Sequence, residues 1–203
     1  MTYKVSVIIP CYNAENTIAR SIESVPKECQ IVFVNDGSTD ESRNRAEKAL
    51  MKKSWPFGPD IKIVCKDNGG VASAVNTGLD IADGEYVVLL GADDYFYVDE
   101  FEKAMKHLDG TDIVYFDLQI NNGAIFHLEE NTKEIYCGST KFIRRDFIGD
   151  TREPEDKRAG EDYYFYKDLL AKNPTEKFTN LVVKHYNFPR DGSLSDRLRK
   201  GEI

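Results

Sequence analysis

The sequence has little of what membrane spans and nucleic-acid-binding surfaces require. Its apolar runs, of which Val87 to Leu90 is typical, are much shorter than the roughly 20 residues that cross a bilayer. Acidic residues exceed basic ones and give a formal net charge of -8, so a nucleic-acid backbone is not an expected partner. The N-terminus lacks a basic stretch followed by an apolar core, so we expect no secretory signal. These absences favour a cytoplasmic protein that reaches the inner membrane face, if at all, by peripheral association.

The cysteines are few and show no metal-binding spacing. Cys11, Cys29, Cys65 and Cys137 form no Cys-x-x-Cys pair, which argues against a zinc site and favours reduced, packed thiols. The chain also lacks G-x-x-x-x-G-K-[ST] and G-x-G-x-x-G, so it has neither a P-loop nor a dinucleotide-binding motif. Its 203 residues suffice for one domain with a sizeable core, and we expect residues 1–203 to form a single domain.

The first half of the sequence alternates between strand and helix patterns. Strands are predicted at 4–10, 30–34, 61–65 and 85–90, and helices at 15–25, from the turn at 35–40 to about 53, and at 71–82. The run Val87 to Leu90 is uniformly apolar, which is typical of a strand buried on both faces. Four strands separated by helices predict an α/β fold, with a Rossmann-like, mainly parallel central sheet flanked by helices.

The second half has a different pattern and predicts a small antiparallel part. Asn121-Asn122-Gly123 is a hairpin signal between two β-prone segments. The predicted strands are 112–120, 124–128 and 181–186, and the predicted helices are 101–108, 139–148 and 161–172. The highly charged segment 151–160 is expected to be a mobile loop. The polar tail 187–203 is expected to be disordered in the absence of a ligand.

Polar turns follow the carboxyl ends of the first-half strands, where open α/β sheets bind ligands. Tyr12 offers a ring for stacking, Asp36 can accept from a base or ribose, and the amides after Gly37 and Gly70 suit an anion. Asp93 and Asp94 can hold Mg²⁺ or Mn²⁺, because hard cations favour oxygen ligands. Together these groups predict a nucleotide-diphosphate site. For Asp36, spacing alone favours a plain Asx turn or helix cap, and the glycines also suit an ordinary turn.

Four motifs in order resemble glycosyltransferase family 2. They are Val5-Ser-Val-Ile-Ile-Pro-Cys-Tyr-Asn13, Val34-Asn-Asp-Gly-Ser-Thr-Asp40, Asn68-Gly-Gly with Asn76-Thr-Gly78, and Gly84-Glu-Tyr-Val-Val-Leu-Leu-Gly-Ala-Asp-Asp94. The resemblance implies a GT-A fold and an inverting transfer from a nucleotide-diphosphate sugar, most simply a UDP-sugar, assisted by Mn²⁺ or Mg²⁺. It also implies that residues 1–95 bind the donor, and that residues 96–203 bind the acceptor and supply the base.

The predicted site residues follow from these motifs, from Gly160-Glu161-Asp162, which resembles the family's Glu-Asp motif, and from the segment 185–195, which resembles the one that closes over the diphosphate. The acceptor class stays open between a saccharide, a lipid-linked and a protein acceptor. The resemblance places Asp162, at the start of a predicted helix, as the general base, although an acid there also suits the helix dipole. The implied donor-binding residues are Pro10, Tyr12, Asn13, Asp36, Gly70, Asn76, Ala92, Asp93 and Arg190. The implied metal ligands are Asp93, Asp94 and His185.

Two departures from the family pattern keep other functions open. Gly91 stands where relatives have the first Asp of a D-x-D-D element, and Val75 stands where many carry Arg. They motivate a second hypothesis, a non-catalytic protein that binds nucleotide-sugars or acts as a scaffold. A nucleotidyltransferase would share the sheet and the acid pair, but Pro10 to Asn13 lacks the glycine- and base-rich loop that holds a triphosphate, so this hypothesis ranks third.

Overall fold

The computed structural model describes residues 3–54, 60–129, 138–157 and 160–188. Within them the strands are β1 (Val5–Cys11), β2 (Gln30–Asp36), β3 (Ile61–Lys66), β4 (Tyr86–Leu89), β5 (Tyr95–Phe96), β6 (Ile113–Ile120), β7 (Ile125–Phe126), β8 (Lys141–Arg144) and β9 (Glu176–Tyr186). The helices are α1 (Ile18–Glu23), α2 (Ser42–Ser54), α3 (Val71–Ile81), α4 (Val98–Met105), α5 (Arg145–Ile148) and α6 (Glu161–Leu170).

All the strands of this part of the chain belong to one mixed sheet. Its order is β3-β2-β1-β4-β8-β6-β9-β5, with β7 paired to β6. The first-half strands pair in parallel, β1 with both β2 and β4, and β2 with β3. The second-half strands pair mostly antiparallel, although β9 runs parallel to β6. The predicted α/β class, with its parallel first half and antiparallel addition, is confirmed.

The sheet separates two apolar cores because its strands alternate side chains between faces. Val5, Val7 and Ile9 of β1 pack toward α1, α2 and α4, whereas Ile8 packs toward α3, α5 and α6. Helix α3 lies very close to β1, since a Cβ added to Gly78 would overlap the Ile8 side chain. This close approach fixes α3, and the turn that precedes it, against the carboxyl end of the sheet.

The segment 139–148 differs from its predicted helix. Residues 141–144 form strand β8, and only residues 145–148 are helical. Lys141, Phe142 and Ile143 are all buried, and β8 fills the space between β4 and β6 with antiparallel pairs to both. Two vacant sheet edges outweigh the local helical pattern, so the reason for the difference is tertiary. Strand β5 is likewise absent from the predictions, and β9 begins five residues earlier than predicted.

Candidate active site

A cavity of about 400 Å³ opens where β1 and β4 end, within the size range of small-molecule sites. The cavity is surrounded by the turn after β1, the turn after β4, the N-terminal end of α6 with the loop before it, the start of α3, and residues 138–139 and 186–188. Of the predicted site residues, those that line it are Pro10, Tyr12, Asn13, Ala92, Asp93, Asp94 and Asp162. Those that do not line it are Asp36, Gly70, Asn76 and His185. Arg190 and Cys137 lie outside the described residues, as does the tail beyond Phe188.

The turn after β1 is held rigidly to the turn after β2. Asn13 adopts a left-handed backbone with φ of 47°, which asparagine tolerates better than most residues. Its amide donates to Ser38 Oγ at 3.1 Å, and its side-chain oxygen accepts from the Thr39 amide at 2.9 Å. Next to it Tyr12 is 52% exposed, with its ring at the rim of the cavity. The arrangement presents a fixed aromatic surface on which a planar base can stack.

Asp36 fastens the end of β2 to the start of α3. Its buried carboxylate accepts from the Gly69 amide at 3.0 Å, the Gly70 amide at 2.9 Å and Lys66 Nζ at 2.9 Å. The Gly70 amide at the N-terminus of α3 therefore donates to a protein carboxylate. Neither an Asx turn nor a cap of its own helix describes Asp36, because its partners lie 30 to 34 residues away. Their long range explains why local spacing could not predict them.

The turn after β4 holds the two adjacent acids in different environments. Ser21 Oγ donates to the carbonyls of Ala92 and Asp94, and Arg20 donates to the Asp93 carbonyl at 2.8 Å, so α1 fixes the turn backbone. The Asp94 carboxylate is buried and lies 2.6 Å from Lys184 Nζ, which is itself fully buried.

Further contacts distinguish the two carboxylates. Asp94 Oδ1 accepts from the Asn187 amide at 2.8 Å, while the Asn187 side chain donates to Asp93 Oδ2 at 3.4 Å. The buried ammonium group of Lys184 neutralises the charge of Asp94, and the hydrogen bond from the Asn187 amide satisfies Oδ1. Asp93 lines the cavity.

Gly91 fits this turn because there is no room for a side chain. A Cβ at that position would lie 2.8 Å from Asp94 Oδ2 and 3.2 Å from Asp93 Oδ1. Asp94 cannot retreat without breaking its pair with Lys184. The replacement of the family's first Asp by glycine is therefore matched by the packing of the two acids that follow.

Asp162 lies in the first turn of α6, with its carboxylate at the cavity. Oδ2 accepts from the Gly138 amide at 3.1 Å, and Oδ1 accepts from the Tyr163 amide at 2.9 Å. The Tyr166 hydroxyl donates to the Gly138 carbonyl at 2.8 Å, so both the amide and the carbonyl of Gly138 are bonded to residues of α6. The carboxylate is held in place by amide donors and no lysine or arginine among the described residues pairs with it.

Asn76 anchors the loop before α6 onto α3. Its side chain donates to the Glu153 carbonyl at 2.9 Å and to Glu155 Oε1 at 3.0 Å, and it accepts from the Glu153 amide at 2.9 Å. Arg152 adds a bond to Asp80 at 2.6 Å. These contacts attach Arg152, Glu153 and Glu155 to the helix, and the mobility expected of the segment 151–160 stays a prediction. Residues 158 and 159 lie outside the described residues.

His185 lies away from the cavity, in the pairing between β9 and β5. Its ring stacks on Tyr95 at 4.6 Å between centroids. Nδ1 is 3.3 Å from the Tyr97 hydroxyl, and Nε2 is 3.0 Å from Asn121 Oδ1. Burial lowers the pKa of His185, and the nearby Arg20 charge acts in the same direction. Both ring nitrogens therefore have protein partners, and the ring is neutral near pH 7.

Comparison with known proteins assigns this architecture. The sequence model of the family described as glycosyl transferase family 2 matches residues 6–171. The chain belongs to glycosyltransferase family 2. The predicted family is confirmed, and the predicted GT-A fold is confirmed by its structural neighbours.

The family 2 relatives are mostly longer than this chain. Minor teichoic acid biosynthesis protein GgaB of Bacillus subtilis (strain 168) is 29% identical over 224 residues, which cover 98% of this chain and 24% of that protein. Chondroitin synthase of Pasteurella multocida (strain Pm70) is 35% identical over 106 residues, covering 50% of this chain and 10% of that protein. The chain thus spans a quarter or less of either of these two relatives.

The family 2 fold is also clear among solved structures. S. aureus TarS 1-349 in complex with UDP-GlcNAc superposes with a TM-score of 0.80 at 25% identity, covering 95% of this chain and 60% of that one. Mannosyltransferase PcManGT from Pyrobaculum calidifontis, in complex with GDP-Man and Mn²⁺, has a TM-score of 0.77 at 19% identity, covering 100% of this chain and 62% of that one. Among the residues described for the family 2 chain, no helix is both long and apolar enough to cross a bilayer.

Two residues of this family 2 site have no signal in the sequence. Lys184 follows the apolar residues Leu181 to Val183 in a β-strand, and its pairing with Asp94 joins positions 90 residues apart. Glu153 lies within Thr151-Arg-Glu-Pro-Glu-Asp-Lys157, a segment whose composition predicts an exposed loop, yet it is 3% exposed and lines the cavity. The buried state of both residues depends on long-range packing, so only the folded chain reveals it.

Proposed function

We propose that this chain catalyses an inverting, metal-assisted transfer of a sugar from a UDP-sugar to a hydroxyl acceptor. The observation that carries the proposal is a single cavity that joins three groups: the Tyr12 ring, the Asp93 carboxylate and the Asp162 carboxylate. They match the three parts of a nucleotide-sugar in transfer, which are the base, the diphosphate with its cation, and the reacting sugar carbon. The UDP-GlcNAc complex of TarS, a neighbour of the same fold, supports UDP as the nucleotide.

The donor set at the acid turn fits a hard divalent cation. No group of three His, Cys, Asp or Glu side chains that would hold a metal occurs among the described residues. Mg²⁺ and its analogues are commonly held by one or two carboxylates together with substrate phosphates, so a protein cage is not required. We assign the cation to Asp93, because Asp94 is neutralised by Lys184 and the His185 nitrogens have protein partners. When bound, the cation offsets the negative charge that builds on the departing diphosphate.

The remaining steps are assigned to the chain's own groups. The acceptor oxygen attacks the anomeric carbon from the face opposite the diphosphate and forms the new C–O bond. The bond from that carbon to the diphosphate oxygen breaks, and its electron pair leaves with UDP. Asp162 takes the proton of the acceptor hydroxyl. Its amide partners, Gly138 and Tyr163, keep the carboxylate oriented toward the cavity.

The test separates donor binding from transfer. We expect UDP to raise the melting temperature in the presence of Mn²⁺ and to have little effect without it, with about 2.7 kcal/mol of stabilisation at 100 times the Kd. Asp162→Asn should keep that shift and lower sugar transfer by about 10²- to 10⁴-fold, because the base is lost. Asp156→Asn, an exposed acid of the neighbouring loop, is the matched control and should behave like the wild type.

The readout is UDP released from a panel of UDP-sugars, which requires no knowledge of the acceptor. Indifference of the melting temperature to UDP plus Mn²⁺ would refute the donor assignment. Normal transfer by Asp162→Asn would refute the base assignment.

A non-catalytic nucleotide-sugar-binding protein is the second candidate. The observation in its favour is that Gly91 leaves the acid turn with two carboxylates, of which Asp94 is committed to Lys184. It predicts the same UDP-dependent shift with no release of UDP from any sugar donor. Turnover of a single UDP-sugar above the Asp162→Asn background excludes it.

A further inference from the structure

Glu153 is a buried acid whose position is fixed by its own backbone. Both its amide and its carbonyl are bonded to the Asn76 side chain at 2.9 Å, so this residue is tied to α3 on the far side of the loop. With 3% of its surface exposed, the residue is buried, and it lines the cavity. Helix and loop therefore hold a buried carboxyl group in the wall of the site.

The carboxyl group lacks the partners that a buried acid normally has. Among the described residues, Glu153 Oε2 has no hydrogen-bond partner, and the same is true of Oε2 of Glu161, which is 8% exposed and also lines the cavity. Within the same residues no ion pair joins either acid to a lysine or arginine. Nearly all buried polar atoms in proteins are hydrogen-bonded, so two cavity-lining acids that each keep one oxygen without a partner indicate a ligand with polar hydrogens or oxygens.

The protonation state of the Glu153 carboxyl group limits which ligands can bind beside it. Burial raises the pKa of the Glu153 carboxyl to about 9, and the nearby acids Glu161 and Asp162 act in the same direction. Burial also raises the pKa of Glu161, again with Asp162 adding to it. Near pH 7 Glu153 thus carries a proton and can donate an O–H hydrogen bond, as well as accept one. A neutral polar ligand suits this environment, whereas a carboxylate would meet three acids.

We propose that Glu153 is a specificity-determining residue of the donor-sugar subsite, where its carboxyl group hydrogen-bonds a hydroxyl or acetamido oxygen of an uncharged hexose beside Asp162. The assignment rests on the proposed function above. Glu153 is bonded to α3, whose N-terminal turn is bonded in turn to Asp36, and it lines the cavity together with Asp162. Because the donor sugar is covalently joined to the nucleotide, we place the donor sugar rather than the acceptor on this side of the cavity. The subsite therefore favours UDP-hexoses and UDP-N-acetylhexosamines over UDP-uronates.

Calorimetric titration of the full chain with Mn²⁺ tests this assignment. The probes are UDP, UDP-glucose, UDP-galactose, UDP-GlcNAc, UDP-GalNAc and UDP-glucuronate. The variants are Glu153→Leu, which replaces the carboxyl by an apolar group of similar volume, and Glu153→Gln, which keeps a donor and an acceptor. Asp156→Asn is the control from the same loop, since its side chain is exposed. Glu153→Leu leaves no buried polar side-chain atom at this position, so this variant should fold. If Glu153→Leu does not fold, Glu153→Gln serves as the second variant.

We expect all variants to bind UDP like the wild type. Glu153→Leu should lose about tenfold in affinity for the preferred UDP-sugar, and Glu153→Gln less than about threefold. UDP-glucuronate should bind the wild type more weakly than UDP-glucose.

Two results would overturn the assignment while leaving the proposed function intact. They are unchanged sugar-nucleotide affinity in Glu153→Leu, and an equal loss of affinity for UDP itself. Failure of the wild type to bind UDP at all would instead remove the proposed function, and this assignment with it.

Discussion

The two kinds of acid in this site show how burial changes what a carboxyl group does. Asp94 is buried beside Lys184, and the pair is neutral as a whole. Glu153 is buried beside other acids, so it becomes neutral by keeping its proton. Asp162 lies at the cavity surface and accepts two amide hydrogens. The three residues have similar chemistry but are suited to three tasks, which are structural pairing, hydrogen bonding of a neutral ligand, and proton abstraction.

The raised pKa of Glu153 leads to a prediction about stability and pH. Its folded-state pKa of about 9 lies far above the ordinary value of 4.5. Between these two values the unfolded chain has released the proton and the folded chain has not. The stability contribution of this group is therefore full below about pH 4.5 and is lost as the pH rises toward 9. The side chain of glutamine does not ionise in this pH range, so Glu153→Gln should remove this pH dependence.

We expect Glu153→Gln to be nearly equal to the wild type in stability at pH 4.5 and to gain on it by roughly 1.4 kcal/mol for each pH unit between pH 4.5 and 8. For a domain of this size that gain corresponds to about 2–4 °C in melting temperature per kcal/mol. Thermal unfolding followed by circular dichroism from pH 4.5 to 9 measures it, with Asp156→Asn as control. Parallel melting curves of the variant and the wild type across that range would contradict the buried, protonated state.

At the scale of elements, the turn after β4 was predictable from the sequence in its position but not in the environments of its two acids. The apolar run of β4 and its terminal acids could be recognised because they are local and regular. The division between Asp93 and Asp94 could not, since it is made by Lys184 on β9, the second-half strand that pairs with β5. Segment 139–148 is a second example, because its helical pattern is local whereas its strand β8 is stabilised by pairing with two other strands, β4 and β6.

The packing of this turn predicts the effect of restoring a side chain at position 91. In Gly91→Ala the new Cβ would lie 2.8 Å from Asp94 Oδ2, which the buried Lys184 prevents from moving away. We expect a loss of about 1–3 kcal/mol, as for other overpacked sites, and weaker binding of UDP with Mn²⁺ because Asp93 is displaced. Urea unfolding and UDP titration measure the two effects. Gly110→Ala is a useful contrast: it is strained by a φ of 104° but meets no atom within 4 Å, so it should leave UDP binding unchanged. Full stability and full binding in Gly91→Ala would show that the turn adapts.

At the scale of the whole molecule, the two halves share one sheet and contribute to both apolar cores. The four parallel strands and the motifs at their ends could be predicted from sequence, because apolar runs and turn residues are local signals. The join between the halves could not, since it consists of the β4–β8 pairing and of Phe101 and Phe142 packing with the first-half residues Ile9 and Val88. The donor-binding and base-bearing halves are consequently one folding unit by their contacts, which supports the proposed single domain.

Because both halves contribute to the same sheet and the same apolar cores, we predict that the first half does not fold alone. A fragment of residues 1–95 would expose the β4 edge that β8 covers, together with apolar side chains of β1 and β4 that pack against α4 and β8. We expect the full chain to unfold in one cooperative transition, seen at the same midpoint by far-UV and near-UV circular dichroism. The fragment should show no cooperative transition and no binding of UDP. A fragment that melts cooperatively and binds UDP with Mn²⁺ would instead establish residues 1–95 as a domain of their own, to which the base-bearing half is an addition.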